Sequence, residues 1–246
     1  MKLLIANPNM SQTMTALMVA EARATCRHGT EITGVTAGFG VPYIGTRSEM
    51  AIAGHALLEL LAQQGPGHDA VVIGAFCHGF VAAAKELLSV PVVGLAEAGM
   101  RSAQIFGRRV GILGVGDPER GSNEDIIFDL DMRDEIAGIR LLSLPGHTIA
   151  EDQAAVEAEA LRQGQTLVTE DKADVIVLGG AALAGLAGQI APHLPVPLIT
   201  PLPYAVALAE AAVLTAWKAP TAGAYKPPGP KPTSGLGPDL GKVFDG

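Results

Sequence analysis

Short apolar runs bounded by Gly, Pro, Asn or Asp recur along the chain and alternate with longer stretches of helical period. Lys2 to Ala6 reads as an opening strand that turns at Asn7-Pro8-Asn9. Ser11 is a good N-cap for an apolar-periodic helix reaching about Ala24. Glu31 to Val35 is a second strand, and a Gly/Pro-rich loop from Gly38 to Gly45 leads into a helix from about Ser48 to Ala62. Further on, Ala96 to Phe106 reads as helix with Gly107 as its stop, and Arg109 to Leu113 as strand followed by a loop with Gly114, Gly116 and Pro118. Ile139 to Leu144, a helix from about Thr148 to Thr169, and a last helix from about Pro203 to Trp217 complete the pattern. Strand and helix alternate throughout, which predicts parallel sheets.

Within this alternation one unit occurs twice. Asp69-Ala70-Val71-Val72-Ile73-Gly74-Ala75 leads to a helix and then to Val90-Pro91-Val92-Val93. Asp174-Val175-Ile176-Val177-Leu178-Gly179-Gly180 leads likewise to Val196-Pro197-Leu198-Ile199. Each copy is an acid, a buried apolar strand, two small residues, a helix and a strand punctuated by proline. Ligands of open parallel sheets bind beyond the carboxyl ends of the strands. A duplicated unit therefore predicts two half-sites that face one ligand.

Composition narrows the class. An apolar fraction of 48% against 17% charged residues is ample for a packed core. With only 4% aromatic residues, that core is built from Ala, Val, Leu and Ile. A net charge of −8, with scattered basic residues such as Lys85, Arg108, Arg109 and Arg140, argues against a nucleic-acid surface. Cys26 and Cys77 form neither a disulfide framework nor a zinc spacing. The opening apolar run is too short for a signal peptide, and no stretch approaches a membrane span. A cytoplasmic protein without membrane partners is expected, with a small-molecule substrate and homo-oligomeric assembly. The Pro/Gly-rich tail from residue 219 is expected to lack regular structure and either to wrap a neighbour or to stay mobile.

Asn7-Pro8-Asn9 after the first strand, the loop before Glu49, Val90-Pro91-Val92-Val93-Gly94-Leu95-Ala96-Glu97-Ala98 and Val177-Leu178-Gly179 together resemble the aspartate/glutamate/hydantoin racemase superfamily, most of all its hydantoin and allantoin racemase branch. The resemblance runs in order over roughly residues 1 to 218. It implies an α/β fold of two lobes related by a pseudo-twofold axis, with parallel-type sheets flanked by helices and the ligand in a cleft between them. The expected division is 1–97 with 201–218 as lobe 1, 98–200 as lobe 2, and 219–246 as tail. It also implies no metal or organic cofactor, and proton transfer at a carbon next to a carbonyl or carboxylate by one cysteine from each lobe. Without gaps, those cysteines fall on Ala75 and Gly180, neither of which transfers a proton. The usual two-thiol mechanism is therefore not expected.

Other residues are candidates for the chemistry. Cys77, read as lying where a helix begins, is either a displaced base whose thiolate the helix end favours or a small buried hydrophobe. His78 and His147 are candidate acid/base groups, each with the alternative of a structural role. For substrate binding, Asn7 and Asn9 offer neutral amides, with an Asx turn as the alternative, and Ser11 a hydroxyl shared with its cap. Tyr43 and Arg47 are placed in a loop over the site, where Arg47 pairs a carboxylate or is simply solvated. The turns Gly74-Ala75-Phe76 and Gly179-Gly180-Ala181 admit a ligand to backbone N–H groups, or serve close helix–sheet packing.

The expected function is that of a racemase-superfamily isomerase acting next to a carbonyl of a small cyclic amide, hydantoin-like, or of an amino-acid derivative. A one-thiol decarboxylase, lyase or hydrolase is the alternative within enzymes. A catalytically inactive small-molecule-binding protein is the alternative outside them.

Overall fold

The computed structural model describes residues 1–144, 152–180, 183 and 185–245. The chain divides into two compact units, residues 1–95 with 205–246, and residues 96–204. In the first, β1 (Lys2–Asn7), β2 (Glu31–Thr36), β3 (Ala70–Ile73) and β4 (Val92–Gly94) form a parallel sheet of order β2-β1-β3-β4. In the second, β5 (Val110–Gly114), β6 (Ile136–Leu141), β7 (Val175–Gly179) and β8 (Leu198–Ile199) form a parallel sheet of order β6-β5-β7-β8. The expected α/β class with two parallel sheets is thus observed, and the two sheets share one strand order. Their central strands β1, β3, β5 and β7 are buried almost throughout. A fully buried aliphatic side chain such as Leu3, Leu4 or Ile5 contributes about 1.5–3 kcal/mol by leaving water.

The repeated sequence unit has a repeated hydrogen-bond meaning. Asp69 donates its N–H to the Lys2 carbonyl (2.8 Å) and accepts the Lys2 N–H on Oδ2 (2.7 Å). Asp174 donates to the Arg109 carbonyl (2.8 Å) and accepts from the Arg109 and Arg108 amides (2.9 and 3.1 Å). Each acid thereby starts the parallel pairing of β1 with β3, or of β5 with β7, at the sheet's amino edge. Two residues on, the Val71 amide donates to Pro91 and the Ile176 amide to Pro197, both at 2.9 Å. Proline fits there because β4 and β8 are edge strands and need give only a carbonyl.

The helices are α1 (Gln12–Thr25), α2 (Arg47–Gln64), α3 (Val81–Leu87), α4 (Leu95–Ala103), α5 (Arg120–Asp129), α6 (Gln153–Thr169), α7 (Ala187–Ile190), α8 (Pro201–Leu214) and α9 (Pro238–Val243). Ser11 caps α1 as expected, accepting from the Met14 amide at 3.3 Å. Thr46 and Glu49 form a reciprocal capping box on α2, and the Gly45 and Thr46 amides hold the Glu49 carboxyl below its ordinary range. Arg47 is therefore the first residue of a helix, not part of the loop in which the sequence placed it. Helix α5 was not expected, because its first turns (Arg120-Gly121-Ser122-Asn123) carry no apolar period.

The tail also departs from expectation, because part of it is regular. Pro238 sits at the start of α9, where its missing N–H costs nothing, and the buried Leu240 (3% exposed) anchors the helix. The Gly237 amide donates to Glu59 Oε1 of α2 at 2.7 Å, so the segment docks on its own chain. No described helix is long and apolar enough to cross a membrane.

Candidate active site

The carboxyl edge of the first sheet is formed by the ends of β1, β2 and β3. Asn7, wholly buried at the end of β1, donates Nδ2 to Asn9 Oδ1 (2.9 Å), the Ser11 carbonyl (3.1 Å) and Thr15 Oγ1 (3.0 Å). Its Oδ1 accepts the Asn9 amide at 3.1 Å. An amide has two N–H donors, and both are occupied here. The structure thus gives Asn7 the Asx-turn role that the sequence left open. Thr15 in turn lies 2.6 Å from Thr36 at the end of β2, a hydroxyl pair that the sequence reading did not anticipate. The half-buried Asn9 accepts the Ser11 amide (2.8 Å) on Oδ1, while its Nδ2 donates to none of the described residues. Met10 donates to the Val41 carbonyl at 3.0 Å, which joins this turn to the loop carrying the exposed Tyr43.

At the end of β3, the Gly74 amide donates to Ala6 (2.8 Å) and the Ala75 amide to Ile73 (3.0 Å). A Cβ at Gly74 would stand 2.7 Å from the Met18 thioether of α1, so this glycine serves close helix–sheet packing. The amides of Phe76 and Cys77 donate to none of the described residues. Helix α3 starts only at Val81, and the chain from Gly74 to Phe80 is irregular. Cys77 therefore does not stand at a helix start, and the expectation of a stabilised thiolate is overturned. Its side chain packs into the first unit's core with Leu57, Phe80 and Ile44, is 5% exposed, and burial pushes the thiol up to about 12. His78 is half-buried, with Nδ1 inside the protein and its carbonyl accepting the Val81 amide at 2.9 Å.

The corresponding edge of the second sheet is built on β5 and β7, where Gly114 pairs with Gly179. Gly180 follows, and a Cβ there would stand 2.7 Å from Val115 Cγ2. The space that a side chain at residue 180 would need is thus filled by Val115. His147 and Ala181 lie outside the described residues.

One ionisable group at this edge escaped the sequence reading. Glu119 sits in a single 3-10 turn, Asp117–Glu119, directly after β5, and is 7% exposed. Its Oε2 accepts the Val115 amide at 3.0 Å, and its carbonyl accepts Ser122 Oγ (2.9 Å) and Asn123 Nδ2 (3.0 Å). Burial pushes its carboxyl up to about 7, against the smaller opposing pull of the Val115 amide. The available signal was the acid ending Gly114-Val115-Gly116-Asp117-Pro118-Glu119, just past a central strand; Leu141 of β6 and Asn123 of α5 crowd the same space beside Gly114.

Residues 3–209 match the Asp/Glu/Hydantoin racemase family. A hydantoin racemase of Paenarthrobacter aurescens is 29% identical over 230 residues, covering 93% of this chain and 98% of that one. Among solved structures, the allantoin racemase from Klebsiella pneumoniae superposes with a TM-score of 0.90 at 29% identity, covering 97% of this chain and 98% of its own. The allantoin racemase from Pseudomonas fluorescens also gives 0.90, at 30% identity over 96% of this chain and 100% of its own. With a matching edge on each of two like-ordered sheets and these relatives across nearly its whole length, the chain belongs to the Asp/Glu/Hydantoin racemase family and is an enzyme of the racemase type.

Proposed function

We propose that the protein moves a proton at a carbon next to a carbonyl in a small cyclic amide of the hydantoin or allantoin kind, and does so without paired thiols. The observation that carries this reading is the duplicated strand end. Ala75 and Gly180 stand where the family resemblance puts its two cysteines, each at the carboxyl edge of a like-ordered sheet. The unengaged amides of Phe76 and Cys77 suit a substrate carbonyl on which enolate charge develops. Asn9 Nδ2 supplies a neutral donor to a ring carbonyl or ureido oxygen. In the first lobe the acid/base role goes to His78, since the buried, neutral thiol of Cys77 is a poor base.

The test is solvent deuterium exchange. Enantiopure 5-substituted hydantoins and allantoin, incubated with the protein in deuterated buffer, are expected to gain one deuterium at the ring carbon and to lose optical rotation, beyond the uncatalysed rate. If mass spectrometry finds no enzyme-dependent exchange in any of them, the proposed reaction is wrong.

A further inference from the structure

We propose that a proton-transferring group for this reaction is the carboxyl of Glu119, at the carboxyl edge of the second sheet beside Gly180. The inference rests on the proposed reaction. Its geometry lies wholly within residues 96–204. Val115 links the two positions directly: its amide donates to Glu119 Oε2 at 3.0 Å, and its Cγ2 lies 2.7 Å from where a Cβ of Gly180 would be. Glu119 Oε2 also lies 3.2 Å from where a Cβ of Gly114 would be, and Gly114 pairs with Gly179, the neighbour of Gly180. The carboxyl is therefore one strand over from Gly180, at the same carboxyl edge. A side chain at residue 114 would meet Leu141 Cδ2 at 2.6 Å before this carboxylate at 3.2 Å, so glycine there serves the close packing around the group.

The second oxygen is the working one. Oε2 is committed to Val115, whereas Oε1 accepts from none of the described residues. Around the carboxyl stand the Val115 amide, Gly114, the Leu141 side chain of β6 and Asn123 of α5, none of them charged. Burial alone therefore holds the group near neutrality, where a carboxyl serves as base and as acid with equal ease.

In the step itself, Glu119 Oε1 takes the proton from the ring carbon, and the C–H electron pair moves into the adjacent carbonyl as an enolate. The enolate pair returns to carbon and takes a proton on the opposite face from water, which becomes hydroxide. Glu119 is left as the acid and returns its proton to that hydroxide. From the other enantiomer the same step runs in reverse.

Glu119→Gln keeps the shape and an oxygen for the Val115 amide but transfers no proton. With each enantiomer of a 5-substituted hydantoin and of allantoin as probes, the variant is expected to lose racemization by about 100-fold or more. It should still wash deuterium into one enantiomer with retention of configuration, because abstraction from the opposite face of the ring carbon does not involve Glu119. Merely structural damage would lower exchange of both enantiomers together, and that result, or unchanged racemization, overturns the proposal. If wild-type protein exchanges neither enantiomer of any probe, the proposed reaction fails on its own account. Glu119 is then judged by carbon NMR of protein labelled at its glutamate carboxyls. A signal missing from Glu119→Gln that moves when the hydantoin is added supports its place in the ligand site, and a signal that stays still overturns it.

Discussion

Cys77 and Glu119 are both buried ionisable side chains, and burial pushes each toward its neutral form. The consequences differ because their ordinary ranges differ. A thiol raised to about 12 is fixed as a thiol at any physiological pH, while a carboxyl raised to about 7 titrates there. Alkylation tests the first statement. Iodoacetamide at about pH 8 is expected to modify the half-buried Cys26 in the folded protein and to reach Cys77 only after denaturation, as read by peptide mass mapping. Faster labelling of Cys77 than of Cys26 would contradict its place in the core. At residue 180, Val115 takes the volume that a side chain would need. A cysteine there would need Val115 to give way, and a valine on a strand end has little freedom to do so.

Among the elements, the strands carry the register locks. Asp69 and Asp174 lie at the amino edges of their sheets, so the duplication that drew attention to the carboxyl-edge turns has a structural half as well. Asp174→Ala removes the acceptor of two amides, Arg108 and Arg109, and is expected to cost about 1 kcal/mol, since water still reaches those groups. Urea unfolding measures the loss, and deuterium exchange into hydantoin should remain within about twofold of wild type at saturating substrate. A large fall in exchange with unchanged stability would mean that the acid belongs to the chemistry instead. The buried strands were legible in the sequence because a parallel strand covered on both faces is a nearly continuous apolar run. Helix α5 and the start of β6 were not, because α5 opens with polar residues and β6 is a half-buried edge strand from Ile136 to Arg140. In α9, Pro238 and Gly241 hid a helix inside a stretch whose composition reads as irregular.

For the whole molecule, Glu119 ties stability to pH. Its folded pKa lies above the unfolded value, near 7 against 4.5, so the folded state holds the extra proton between those limits. The stability this contributes is present in full below about pH 4.5 and is lost as pH rises through about 7. The loss is on the order of 3 kcal/mol by linkage. Glu119→Gln, uncharged throughout, is expected to gain on wild type by that order between about pH 5 and pH 8 in urea unfolding. Equal pH dependence of the two proteins would show that the carboxyl is not held near neutrality. A group that costs the fold stability at neutral pH fits a site more readily than a scaffold.

By itself the sequence determined the strand–helix alternation, the duplicated unit, the parallel sheets and the membership of a racemase family. These follow from local patterns: apolar runs, small residues at strand ends, caps such as Ser11, and the residues Ala75 and Gly180 themselves. Tertiary structure decided what each candidate side chain is. Asn7 became a turn organiser because Thr15 and Ser11 take its donors. Cys77 became core because the chain does not turn helical until Val81, leaving the thiol against Leu57 and Phe80. Glu119 became a near-neutral acid because the fold buries it, with Leu141 of β6 and Asn123 of α5 crowding the same space beside Gly114. The electrostatics of a site are set by what surrounds a charge, and the sheet assembles those surroundings from segments that no local pattern links.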